Sequence, residues 1–180
     1  GGEAARLGRG LEWTVANAYR AGRVEVIVVD NGSRDGAADV ARRCGATVLQ
    51  VTGGGVAGLR NRGAAVARGQ ILAFVDADHE IDAHWVRHAV TALARPGVAA
   101  AGAPCFPPAN GTRVQLRYNG LRERVAEPAD ADWLGSGNLA VRRDALDAIG
   151  GFDPPPQTCP SGHMGRRPPP PRAPTSPPHA

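Results

Sequence analysis

The chain has 180 residues, 42% of them hydrophobic and only 4% aromatic, enough for one domain whose core must be filled by Ala, Val and Leu. No apolar run is long enough to span a membrane and no charged-then-apolar leader is visible, while Cys44, Cys105 and Cys159 are too scattered for a zinc pattern, so a cytoplasmic protein with free thiols is expected. The net charge of +4 belongs largely to an acid-free end: Arg166, Arg167 and Arg172 lie beyond residue 154, leaving 18 of the 21 basic residues, all Arg, against 17 acids. A near-neutral body argues against nucleic acid as a partner.

In chain order, Glu3 to Ala21 reads as a helix. Val24 to Val29 is a β-branched strand ending in Asp30-Asn31-Gly32-Ser33. A helix over Gly36 to Cys44 follows, capped by Ser33 or Asp35 and stopped by Gly45, and then a strand over Thr47 to Val51. After the turn at Gly53-Gly54-Gly55, a helix over Val56 to Arg68 ends at Gly69. The run Ile71-Leu72-Ala73-Phe74-Val75 predicts a strand buried on both faces. Asp82 caps a further helix through His84, Trp85, His88 and Leu93 until Pro96, and Val98 to Ala101 is a short strand. Arg113 to Val125 has the pattern of an amphipathic helix. This alternation predicts an α/β fold, a mostly parallel, doubly wound sheet flanked by helices.

From residue 154 the pattern stops. Eleven of the 16 prolines fall in residues 154–180, with no aromatic residue, and such a stretch is expected to be disordered or polyproline II-like. The readings are a proline-rich ligand, an unstructured end, or out-of-frame translation of a GC-rich gene, which also accounts for the absence of Lys. The last is preferred. The chain does not begin with Met, so a fragment is expected.

Asp76-Ala77-Asp78 is the strongest chemical signal. Parallel strands end on one edge of the sheet, where open α/β folds bind ligands. Two carboxylates two residues apart at that edge make a hard-oxygen site for Mg²⁺ or Mn²⁺ carrying a phosphate. Asp30 ends another such strand and is expected on the same side. Gly32 and Gly53 to Gly55 permit close approach of backbone amides, and Arg60 and Arg62 near a helix start suit a diphosphate. Each feature also has a plain reading as a turn or a solvated helix face.

Five segments together resemble family 2 glycosyltransferases, which have the GT-A fold. They are Val26 to Gly36, with Asp30-Asn31-Gly32-Ser33; Leu59-Arg60-Asn61-Arg62-Gly63 through Gly69; Phe74 to Asp78, matching the D-x-D metal motif; Trp133 to Arg143, with Gly135-Ser136-Gly137-Asn138; and Ile149-Gly150-Gly151-Phe152-Asp153. They come in the family's order over roughly residues 3–153. The resemblance implies a GT-A-like domain over 1–153, lacking the family's first strand and C-terminal part, followed by a tail over 154–180.

It further implies binding of a nucleotide-diphosphate sugar and transfer of the sugar, with inversion, to the hydroxyl of an unknown acceptor. Asp30, with Asn31 and Ser33, would contact the base or ribose, and Arg60 the base or diphosphate. Asp78 would be the main metal carboxylate, for Mn²⁺ or Mg²⁺, with Asp76 ordering the ribose and the metal shell. Gly135, Ser136, Gly137 and Asn138 would approach the donor sugar or acceptor. Peripheral membrane association is compatible with this scheme. The family's catalytic base, an acidic pair after the Gly-Gly-Phe-Asp segment, has no counterpart, because Asp153 is the last acid. No catalytic residue is assigned, and impaired turnover is expected.

Other readings fit less well. A haloacid dehalogenase-like phosphatase wants Thr or Val where Glu80 stands and a lysine that the chain lacks. An EF-hand on Asp76, Asp78, Glu80 and Asp82 has Ile81 where Gly is needed. A non-catalytic nucleotide-binding or interaction module remains the alternative. His84 and His88, one helical turn apart, have no third ligand placed by sequence, so a surface or core role is expected for them.

Overall fold

The computed structural model describes residues 23–79, 81–103, 105 and 134–153. The helices expected over 3–21 and 113–125, Trp133 and the proline-rich tail lie outside the described residues. Among the described residues, five strands and four helices follow in the order β1 (Ile27–Asp30), α1 (Ala37–Arg43), β2 (Thr47–Gln50), α2 (Val56–Val66), β3 (Ile71–Val75), α3 (Trp85–Leu93), β4 (Ala100–Gly102), β5 (Asn138–Arg142) and α4 (Arg143–Ala148). Among the described residues no helix is long and apolar enough to cross a membrane.

β1 and β2 pair in parallel, Ile27 opposite Thr47 and Asp30 opposite Gln50. α1 closes over them through the buried Ala41, joined by Ala46 just before β2, against Val26, Val28, Cys44 and Val48. Its N-cap is Gly36 rather than Ser33 or Asp35; the Asp35 carboxylate accepts from the Ala37 N–H at 3.2 Å, and Ser33 serves Asp30 (below). Its end is a Schellman turn: Gly45 N–H donates to Arg42 O and Ala46 N–H to Ala41 O, satisfying carbonyls that the helix leaves open.

The second sheet has the order β3-β5-β4, with β5 antiparallel to both neighbours, so β3 and β4 run in the same direction. The α/β class stands, but residues 138–142, for which no strand was expected, form an antiparallel strand inside this sheet. Its alternation is hidden because both of its faces are apolar. Leu72 and Phe74 of β3 share a face with Leu139 and Val141 of β5, packed beneath Ala57 and Ala64 of α2, Leu146 of α4 and Phe152. Ile71, Ala140 and Ala101 turn to the opposite face, beneath Trp85, Ala89 and Leu93 of α3. The two clusters reproduce the strand period of two.

β3 corrects one expectation. It is not buried on both faces, since Ala73 and Val75 are exposed. The residues packed on that side of the sheet, from Ile81 along α3, lie against Ile71 and leave the last part of the strand uncovered. Cys44 and Cys105 are half-buried free thiols.

α2 ties the two sheets together. A Cβ on Gly63 would lie 3.1 Å from Val29 Cγ2, so the helix lies closely on β1. Arg143, at the start of α4, reaches the other end of α2. Its guanidinium donates to Gly69 O at 2.8 Å, Ala67 O at 2.8 Å and Ala64 O at 3.2 Å, a cationic cap on a helix C-terminus. Glu25, just before β1, accepts from the N–H groups of Arg68 and Gly69 just before β3, which brings the starts of the two strands together.

Candidate functional site

The chain turns sharply where β3 ends. His79 N–H donates to Asp76 O at 2.9 Å, closing a four-residue turn that folds Asp76, Asp78 and His79 back on one another. One ligand atom from each lies within 4.8 Å of the others, and His79 Nδ1 stands 3.1 Å from Asp78 Oδ1. Opposite donors around a Mg²⁺-sized ion are about 4 Å apart, so the span fits a divalent ion with small side-chain adjustments. Asp78 is open to solvent, while His79 is about one-third exposed. An imidazole added to two carboxylates makes the donor set softer and better suited to Mn²⁺ than to Mg²⁺. His79 was missed by sequence reasoning, although a ligating residue directly after the second Asp of an Asp-x-Asp was a visible signal.

Asp76 is held from two sides. Its Oδ1 accepts from Arg60 Nη2 at 2.7 Å, with the Arg60 side chain only 9% exposed. Its N–H donates to Gly137 O at 3.0 Å, extending the β3–β5 ladder by one residue. A Cβ on Gly137 would collide with Asp76 Oδ2 and come within 3.1 Å of His79 Cε1, so any larger residue here would displace those side chains. Arg60 and Arg62 do not act as a pair: positions two apart on a helix face different ways, and Arg62 is exposed.

Asn138, opposite Val75 in the ladder, points its amide nitrogen at Ala103 O at 3.4 Å and Cys105 Sγ at 4.0 Å. Its Oδ1 is buried and has no hydrogen-bond partner among the described residues. Such an acceptor is costly unless a ligand or water supplies a donor. Gly135 is exposed and Ser136 half-buried on the same approach.

Asp30 is the one buried charged residue among those described. Its Oδ1 accepts from Ser33 N–H at 3.0 Å, and the Ser33 hydroxyl followed by this N–H holds the carboxyl below its ordinary range against the opposing effect of burial. Asn31 and Ser33 are exposed on the turn so formed. Gly63 lies against Val29 and Arg60 bonds Asp76, so the ends of β1 and β3 both lie along the middle of α2. The structure thus brings Arg60, Asp76, Asp78, Gly137 and Asn138 together at the end of β3, with Asp30, Asn31 and Ser33 at the neighbouring strand end. His84 and His88 are exposed, their rings 6.2 Å apart, outside the donor group found among the described residues.

Phe152 and Asn61 also belong to this region and were not assigned a role from sequence. Phe152 is buried, its ring meets Phe74 edge-on at 4.8 Å, and the Arg60 guanidinium lies 5.7 Å from its centroid. The Asn61 amide donates to Phe152 O and accepts from Phe152 N–H, both at 2.9 Å.

An α/β domain with an Asp-x-Asp turn at a strand end, overhung by a glycine loop, has the architecture of a GT-A glycosyltransferase domain. Residues 3–150 match the model of glycosyl transferase family 2, and the chain belongs to that family. It is 28% identical over 162 residues to glycosyltransferase AglE of Haloferax volcanii, covering 83% of this chain and 52% of the relative. The mannosyltransferase PcManGT from Pyrobaculum calidifontis, solved in complex with GDP-Man and Mn²⁺, superposes with a TM-score of 0.65 at 26% identity, over 83% of this chain and 44% of that one. TarS of S. aureus in complex with UDP-GlcNAc superposes with a TM-score of 0.64 at 16% identity, over 84% of this chain and 46% of that one, a likeness of fold alone. The chain spans about half the length of the curated relative it matches.

Proposed function

We propose that this chain is the nucleotide-binding part of a glycosyltransferase that holds a nucleotide-diphosphate sugar through a divalent ion and passes the sugar, with inversion, to an acceptor hydroxyl. The observation that carries this reading is the convergence of Asp76, Asp78 and His79 at the end of β3, with Asp76 clamped by Arg60 and overhung by Gly137. The exposed Asp78 is the main metal carboxylate, His79 and Asp76 are further ligands, and Asp76 also orders the ribose. Asp30, with Asn31 and Ser33, meets the base or ribose. Arg60 has donors beyond the one given to Asp76 and turns them to the diphosphate. Gly135, Ser136 and Gly137 admit the donor sugar, and the unpartnered Asn138 Oδ1 accepts from one of its hydroxyls. A bound divalent ion supplies Lewis-acid stabilisation of the charge on the departing nucleoside diphosphate.

Mn²⁺ is the preferred ion, from the mixed carboxylate and imidazole set and from the presence of Mn²⁺ with GDP-Man in the 26%-identical mannosyltransferase. Residues 1–153 form the glycosyltransferase unit, with 154–180 as an appended tail. The residues gathered here bind and orient the donor, and the acceptor's general base is assigned to none of them. The second reading is a nucleotide-binding module without turnover.

Calorimetry with GDP and UDP, with and without Mn²⁺, tests the proposal. Mn²⁺-dependent binding that is lost in Asp78→Ala is expected. Failure to bind either nucleotide under any condition would sink both readings, and binding without sugar transfer or hydrolysis selects the module.

A further inference from the structure

We infer that Asn61 is a positioning residue which, by docking the Gly150–Asp153 segment, sets the orientation of the metal carboxylate Asp76; this rests on the proposed metal–diphosphate reading of the site. The side-chain amide of Asn61 imitates a strand partner, taking both the N–H and the C=O of Phe152 at 2.9 Å. The segment is shaped for that bond. Gly150 N–H donates to Asp147 O and Gly151 N–H to Leu146 O, ending α4 in a tight turn with φ of +80° and +88° at the two glycines. A Cβ on Gly151 would stand 2.7 Å from Asn61 Oδ1, so a larger residue would displace the amide from the Phe152 backbone.

The docked Phe152 then acts on the next residue along α2. Its ring lies beneath the Arg60 guanidinium at 5.7 Å, within the range of a cation–π contact, and is braced edge-on by Phe74. Arg60, almost wholly covered, has its Nη2 on Asp76 Oδ1 at 2.7 Å. The order of contacts is Asn61 to Phe152, Phe152 to Arg60, and Arg60 to Asp76. Asn61 touches none of the proposed metal ligands, yet two adjacent residues of one helix turn connect the Gly150–Asp153 segment to the metal carboxylate. Residues that orient a ligating carboxylate commonly matter nearly as much to metal affinity as the ligand itself.

The test uses the full chain, with Mn²⁺ binding followed by electron paramagnetic resonance and GDP or UDP binding by calorimetry, with and without Mn²⁺. Asn61→Ala is expected to weaken the Mn²⁺-dependent part of nucleotide binding about tenfold, and metal-free binding much less. Phe152→Leu, which keeps a buried apolar side chain, serves where Asn61→Ala does not fold and is expected to have the same effect. Asn61→Asp, which keeps the acceptor for Phe152 N–H but loses the donor to its carbonyl, is expected to fall between. Asn61→Ala with Phe152→Leu should be no worse than either alone, because both act through one contact. Variants that melt at lower temperature but bind Mn²⁺ and nucleotide as wild type does overturn this inference alone. A wild-type chain that binds neither overturns the functional reading and this inference with it.

Discussion

Gly137 and Asp30 show how much one position carries. Gly137→Ala places a methyl group against Asp76 Oδ2 and His79 Cε1, and the carboxylate must swing away because the colliding backbone belongs to the β3–β5 ladder. Loss of Mn²⁺-dependent nucleotide binding is expected, measured by calorimetry, at a stability cost of about 1–3 kcal/mol. The Ser33 hydroxyl and N–H hold Asp30 below the ordinary carboxylate range, so the folded state favours its ionised form. That stabilisation is complete above about pH 4, the unfolded value, and is lost as the pH falls through the lowered folded value. Asp30→Asn should therefore be less stable than wild type in urea at pH 7, and the difference should shrink as the pH is lowered below 4. Glu25 is shifted in the same direction, first by the Arg68 N–H, and contributes to the same acid loss. Asp30 at a strand end and the Asp-x-Asp pair were legible as residues. His79 was overlooked, and the Asn61 clamp was not legible at all, because its partner stands 91 positions away.

At the scale of elements, most boundaries followed from local chemistry. Gly45 ends α1 as expected, though Gly36 and not Asp35 is its N-cap, and Asp82 Oδ1 accepts from His84 N–H at 2.7 Å just before α3. The exception is β5. Leu139, Ala140 and Val141 are all buried, so the strand carries no polar alternation by which to recognise it. α2 ends three residues short of Gly69, where Arg143 takes its last carbonyls. Replacing that guanidinium with Ala leaves partly buried carbonyls at 64, 67 and 69 without their charged donor. Arg143→Ala is expected to lower the unfolding free energy by about 2 kcal/mol, read from urea denaturation. Arg143→Lys should recover only part of it, since an ammonium cannot reproduce the planar fork.

For the whole molecule, the decisive residue is Leu139. It is fully buried at the centre of the sheet, opposite Phe74 on one side and Gly102 on the other. With so few aromatic residues the core is built from Ala, Val and Leu, and Leu139→Ala is expected to cost about 2–5 kcal/mol, measured by chemical denaturation. The same register places Gly137 over Asp76 and Asn138 opposite Val75, so an error in pairing by one residue would dismantle the site as well as the core.

By itself, the sequence determined the alternation of strands and helices, the acidic turn at the end of β3 and the order of motifs that marks a family 2 glycosyltransferase. These are local: each depends on propensity, capping or spacing within about a dozen residues. Only the tertiary structure decided that β5 runs antiparallel between β3 and β4, that His79 joins the two aspartates, that Arg60 turns inward while Arg62 does not, and that Phe152 is seated on Asn61. Those contacts join segments distant in the chain or depend on which way a side chain turns, and they are set by how the two apolar faces of one sheet are covered.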